Sequence, residues 1–224
     1  MTRQQTGRSA RPRFVRYGMI GFGGIAENRL AREGFGCDAA RVAPLPNARL
    51  TGVTDINPGR RRAVRALGLR WYPDADALLA DPSIDAVVIA TNNLSHAPLA
   101  TRALEAGKDV IVEKPIATTS RDARALVRLA ARLNRSLAVD HMMVHNALNR
   151  KARSLLAKGA IGTVNDACFH MQFAFGFEPA EAVSWRCGSR AELGGPVGDV
   201  ASHCFYMIEA MLDTRIRAVR AVYY

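Results

Sequence analysis

The chain has 224 residues and carries 31 Lys and Arg against 20 Asp and Glu, a formal charge of +11. Hydrophobic residues make up 49% and charged residues 23%, an ordinary globular balance that excludes a wholly disordered chain. The longest clean apolar run, Ala86 to Ala90, is far short of the about 20 residues a bilayer-spanning helix needs, so no membrane span is expected.

Residues 1–15 read as a flexible basic arm. Arg3, Arg8, Arg11, Arg13 and Arg16 lie in the first 16 residues with no acid among them, which leaves +6 for the remainder. A basic arm can touch nucleic acid or an acidic surface. A solvated tail is the plainer reading, because no aromatic interleaving or recognition-helix pattern accompanies the arginines. This stretch has no apolar core of the secretory kind, so the expected location is cytoplasmic. Cys37, Cys168, Cys187 and Cys204 show no C-x-x-C spacing, so free thiols are expected, and no metal site.

Arg16 to Gly21 reads as a buried strand and Glu27 to Glu33 as a helix. Arg49 to Asp55 reads as a second strand. Pro58 then opens a helix to about Leu67, as proline prefers a first helical turn. Asp76 to Leu79 is a short helical piece. Ile84 to Ala90 is a continuous apolar run of strand length, as in a parallel strand covered on both faces. Ser95 to Ala106 is helical and stops at Gly107. Asp109 to Glu113 is a strand, a helix begins at Ser120, and Ser136 to Met142 is a further strand. Strands alternating with helices predict an α/β fold with a doubly wound parallel sheet, a Rossmann domain over residues 16–143.

From residue 144 to 224 the pattern changes. Asn146 to Lys158 reads as a helix closed by Gly159, Gly162 to Phe175 as a long strand, Val197 to Leu212 as a buried helix and Ile216 to Tyr224 as a last strand. A small, incomplete α+β domain with an open, mainly antiparallel sheet is expected here.

Gly21, Gly23 and Ala26 fit G-x-G-x-x-G/A between a strand and a helix. The first glycine makes the tight turn, the second lets the backbone approach a pyrophosphate, and the small third residue lets helix and strand pack closely. The helix start, with Gly24 and Ile25, offers free N–H groups to phosphates. A glycine-rich loop without a ligand is the alternative. Asp55 ends the second strand, where an acid accepts from ribose hydroxyls. It lies 29 residues beyond Ala26, against a usual offset of about 20, an excess that fits an insertion around 34–46. Asp55 argues for NAD. Arg60, Arg61 and Arg62 stand nearby, so NADP stays open. Thr91, Asn92 and His96 follow the third long strand and are placed at the cofactor site.

Glu113 and Lys114 end a parallel strand, the edge where open α/β sheets bind ligands. Lys114 can donate to a substrate oxygen; on position alone a structural Glu–Lys ion pair reads equally well. Asp199 and His203 are spaced i, i+4 and share a helix face, which suits a proton relay. A capping aspartate beside a structural histidine reads equally well. His141, His145 and His170 have no spacing that argues metal and are read as structural or solvent-facing.

Taken in order, Gly21–Ala26, Asp55, Ala90–Asn93 with His96, Glu113-Lys114-Pro115, Gly159–Gly162, Trp185-Arg186 and Gly194 to His203 resemble the Gfo/Idh/MocA oxidoreductases. The resemblance implies a Rossmann domain followed by an open-faced sheet domain that also carries oligomer contacts. It implies NAD(P)-linked oxidation or reduction of a sugar, polyol or related compound. It makes Lys114 the group that polarises the reacting oxygen, His203 the acid/base and Asp199 its assistant. It also places Trp185 and Arg186 with them at the substrate and Glu113 at the cofactor. A cis bond before Pro115 accords with the family. Leu193, Ala201 and Tyr206 depart from it, Tyr206 standing where an acid often follows the histidine. The chain is also shorter than the family's members, so a fragment is expected, with cofactor binding retained and turnover in doubt. A non-catalytic nicotinamide-binding sensor of the same fold is the alternative function.

Overall fold

The computed structural model describes residues 14–171, 189–220 and 222. Contacts divide the chain into two units. One comprises Met1–Thr91, Pro98–Val112 and Ala125–Ala138; the other comprises Asn92–Ala97, Glu113–Arg124 and Val139–Tyr224.

The first unit is built on a sheet of six strands in the order β3-β2-β1-β4-β5-β6. The strands are β1 (Val15–Ile20), β2 (Ala48–Thr54), β3 (Arg70–Trp71), β4 (Ala86–Ile89), β5 (Asp109–Glu113) and β6 (Leu137–Asp140). β1 pairs in parallel with β2 and with β4, β2 with β3, and β4 with β5. The order reverses between β1 and β4, the switch point of a doubly wound sheet. All four residues of β4 are buried, as expected of a central strand covered on both faces. Val87 and Ile89 are fully buried, each contributing about 1.5–3 kcal/mol of transfer free energy. Around Met19, Phe22, Leu50, Val53, Val64 and Val88 the core is continuous.

Helix α1 (Ala26–Gly34) is wound wider than an α-helix; past its end, Phe35 N donates to Leu30 O, five residues back, at 2.8 Å. A turn from Pro58 to Arg60 leads into α2 (Arg61–Ala66), and Asn57 caps it by accepting from Gly59 N. Asp74 caps α3 (Ala75–Ala80) in the same way through Ala77 N. Helix α4 spans Asn93–Glu105 and α5 spans Ser120–Arg132. Lys108 is 7% exposed, and its ammonium donates to the carbonyls of Asp81 and Ile84, which satisfies a buried charge.

Two further helices, α6 (Ala147–Ala157) and α7 (Ser202–Leu212), belong to the second unit. Asn146 caps α6 through Leu148 N, and Gly159 follows its end at φ +68, where glycine carries no steric penalty. A wide turn, Pro196–Ala201, leads into α7.

Three expectations are corrected. No strand forms over the described part of 162–175. Residues 161–168 are exposed, and an extended segment without a ladder partner has nowhere to place its N–H and C=O groups except water. Residues 172–175 lie outside the described residues. The strand expected over 216–224 is likewise absent among its described residues, and the second unit's helices carry its described structure. The helix over 197–212 is less buried than its apolar sequence predicts: Met207 is buried, Phe205 is exposed, and most of α7 is half-buried. No helix among the described residues is long and apolar enough to cross a membrane.

Candidate functional site

In the first unit, the turn after β1 is shaped by Gly21. Its φ is +91, and a Cβ there would meet Ala90 O at 2.5 Å, so both conformation and space require glycine. Gly21 N donates to Thr54 O at 2.8 Å, which ties the turn to β2. Phe22 points into the core with no exposed surface, while Gly23, Gly24 and Ile25 are exposed. Nothing lies within 4 Å of where a Cβ on Gly23 or Gly24 would sit. Ala26 is buried where α1 meets the sheet. A bare, open backbone at a helix start is the arrangement that admits a pyrophosphate, so the residues present fit a dinucleotide.

Asp55 sits directly beside this turn. One carboxylate oxygen accepts from Phe22 N at 2.5 Å and the other from Asn57 N at 2.7 Å. A carboxylate offers about four acceptor sites, so capacity remains for ribose hydroxyls. Arg60 is also at the turn. Its Nε donates to Phe22 O at 2.7 Å, and its guanidinium pairs with Glu27 and lies over the Phe22 ring. Arg61 instead lies over the Trp71 ring. The Thr91 side chain closes the space beside Gly21.

In the second unit, Lys114 follows the last residue of β5 and precedes a cis bond to Pro115. Its ammonium donates to Asp199 Oδ1 and to Asp199 O, each at 2.7 Å. The two side chains are only 10% and 13% exposed, so this is a nearly dry ion pair. Asp199 is placed by the wide turn before α7, where its N–H donates to Gly195 O. His203 lies one turn on, at the start of α7, and its Nδ1 is 2.9 Å from the Tyr206 hydroxyl. Burial and the Lys114 charge push the His203 imidazole below its ordinary value, against the opposing pull of Asp199. At neutral pH His203 is therefore uncharged.

His96 was expected at the cofactor. The structure buries it and lets its Nδ1–H donate to Pro115 O at 2.8 Å, so it holds the Lys114–Pro115 corner. Glu113 accepts from Lys114 N at 3.1 Å and stands near the Asp140 carboxyl, which burial pushes up. Asn92 begins the segment into α4, and its amide donates to Glu192 Oε1. Trp185 and Arg186 lie outside the described residues.

Sequence reasoning missed two groups. Glu192, 7% exposed, accepts from Leu94 N at 2.8 Å and Asn92, while its carbonyl accepts from Asn93. These partners lie 98 to 100 residues away, beyond any spacing rule. His141 was read as structural or solvent-facing. Its ring stacks on Tyr206 at 4.0 Å, and its Nδ1 is buried without a hydrogen-bond partner among the described residues. Its place directly after the last β6 residue, Asp140, was the available signal. His170 is exposed, beside Cys168. Among the described residues no group of three side chains could hold a metal ion, and Cys37, Cys168 and Cys204 are free.

Residues 15–141 match a family model described as an oxidoreductase family with an NAD-binding Rossmann fold, and residues 149–224 match that family's C-terminal domain. The chain is 43% identical over 182 residues to an uncharacterized oxidoreductase, YdgJ, of Escherichia coli K12, covering 81% of this chain and 48% of that protein. It is 30% identical over 216 residues to an inositol 2-dehydrogenase of Acidothermus cellulolyticus, covering 95% and 58%. An NAD-binding oxidoreductase from Klebsiella pneumoniae superposes with a TM-score of 0.70 at 26% identity, over 89% of this chain and 53% of that one. The chain thus spans about half the length of the curated relatives it matches.

Proposed function

Because the chain belongs to the Gfo/Idh/MocA oxidoreductase family, we propose that it serves a nicotinamide-dependent dehydrogenase or reductase acting on a sugar, polyol or related alcohol or ketone. The observation that carries the reading is the nearly dry Lys114–Asp199 pair with an uncharged His203 one turn beyond it. The relative named as an inositol dehydrogenase supports a polyhydroxylated substrate.

The dinucleotide, when bound, supplies the hydride acceptor or donor. Gly21, Gly23, Gly24, Ile25 and Ala26 form the turn that would hold its pyrophosphate, and Asp55 would take the ribose hydroxyls. Asp55 also favours a cofactor without a 2′-phosphate, because its charge repels one. Thr91, Asn92 and Glu113 complete the cofactor set, with His96 fixing the corner beneath Lys114. Lys114 donates to the reacting oxygen and lowers the cost of charge there. Asp199 fixes the ammonium through two acceptors, so its direction is set before substrate arrives. His203 takes the hydroxyl proton in oxidation and returns it in reduction. Trp185 and Arg186 are assigned to the substrate on the family pattern.

Purified protein titrated with NADH and NADPH, followed by nicotinamide fluorescence, tests the cofactor half of this reading. Saturable binding with NADH preferred is expected, and absence of binding by folded protein overturns it. A screen of sugars and polyols with the wild type and Lys114→Ala tests the chemical half. Turnover lost with cofactor binding kept is the expected result for the variant.

A further inference from the structure

Tyr206 occupies the place next to His203 where a charged acid would stabilise an imidazolium. Its hydroxyl is 2.9 Å from His203 Nδ1. Among the described residues the hydroxyl has no other hydrogen-bond partner. Its ring is fixed on the other side by the His141 imidazole at 4.0 Å. A phenol proton with one acceptor in reach is donated to it.

We propose that Tyr206 is the positioning residue of His203: its hydroxyl donates to Nδ1 and holds the imidazole proton on Nε2 in the resting protein. The inference deepens the function proposed above and rests on it for its chemical meaning. A carboxylate at this place accepts only, so it fixes a proton on Nδ1 and draws the ring toward the charged form. A phenol can donate or accept by rotating about one bond. It therefore supports an Nε2 that carries a proton when a carbonyl oxygen is to be met. It equally supports an Nε2 that is bare when a hydroxyl is to be deprotonated. The first of these is the resting state, because Nδ1 is the acceptor within reach of the phenol proton.

The surroundings fit a neutral ring. Facing His203 are Lys114 from the segment after β5, Asp199 from the turn before α7, and His141 from the segment after β6. Lys114 and Asp199 are paired with each other and largely cancel. Burial holds His141 below its ordinary value, so it adds no charge. Facing Tyr206 are Asp140, Glu113 and Cys204, and burial pushes its phenol up, so it stays protonated.

The experiment is a pH titration of the full chain, without cofactor, by nitrogen-15 NMR of the histidine side chains, with His203→Asn to assign the resonance. In the wild type the neutral form should carry its proton on Nε2, with a midpoint below about 6.5. Tyr206→Phe keeps the ring on His141 and should release the lock, so that both tautomers appear while the midpoint stays low. Tyr206→Glu should move the proton to Nδ1 and raise the midpoint by about one unit or more. Thermal melts of each variant establish that it is folded. A wild-type proton on Nδ1, an unchanged tautomer in folded Tyr206→Phe, or an unmoved midpoint in folded Tyr206→Glu overturns the proposal. Failure of the wild type to bind NADH would overturn the proposed function instead and leaves the tautomer reading on Tyr206 intact.

Discussion

The Lys114–Asp199 pair makes a quantitative prediction about stability. Both side chains are almost out of solvent, and the ammonium has two acceptors on one residue. Removing one partner of such a pair leaves a charge with neither water nor counter-charge, a loss of about 3–5 kcal/mol. For a chain of this size 1 kcal/mol moves the melting temperature by about 2–4 °C. Lys114→Met and Asp199→Leu should therefore each lower the melting temperature by about 6–20 °C. The double variant leaves no uncompensated charge and should recover most of that loss, because replacing a buried pair by apolar side chains is often neutral. The assay is a double-mutant cycle by thermal melts at fixed pH and salt. Single variants within about 2 °C of the wild type would show a screened surface pair and remove the argument that Asp199 pre-aims the ammonium.

Gly21→Ala combines a positive φ with a Cβ 2.5 Å from Ala90 O, so it should destabilise the turn and abolish NADH binding, read by fluorescence and melting together. Asp55→Ala strips the acceptor from Phe22 N and Asn57 N, each lost bond worth about 1–3 kcal/mol if its donor is left unpaired; NADH affinity should fall more than NADPH affinity. Stability should also depend on pH in two stages, measured as urea midpoints. His141 and His203 lie below their unfolded value through burial, so the unfolded chain binds their protons first and stability falls as pH drops below about 6.5. Asp85 is held low by Arg16 and Glu27 by Arg32 and Arg60, so their contribution is present above about pH 4 and is lost below it; Asp85→Asn should flatten that lower limb.

The sheet was legible because its strands and helices carry their own periodicity. β5 matches its expected bounds residue for residue, and α6 begins and ends on the Asn146 and Gly159 signals. β3 was not legible. Arg70 and Trp71 make a strand only because Gly52 and Val53 lie beside them, and a two-residue segment has no period. The strands expected at 162–175 and 216–224 failed for the converse reason, since alternation states a preference while a ladder needs a partner. At the site, Lys114, Asp199 and His203 were readable from motif spacing, and the structure brings Lys114 onto Asp199. For His96, burial and the bond to the Pro115 carbonyl were not visible in spacing.

The polar groups of the second unit share one electrostatic logic. Each buried charge is met close by: Lys114 by Asp199, and the Glu192 carboxylate by Asn92 and Leu94 N. Burial raises the Asp140 carboxyl against the opposing pull of Glu113. His141 and His203 are held neutral by burial. Lys114 is thus a cation matched by Asp199, with no second positive centre at His203. In the function proposed above, proton exchange by a neutral imidazole and charge stabilisation by a fixed ammonium are then separate tasks on separate residues. Such a division requires a group without charge beside this histidine, and Tyr206 meets that requirement.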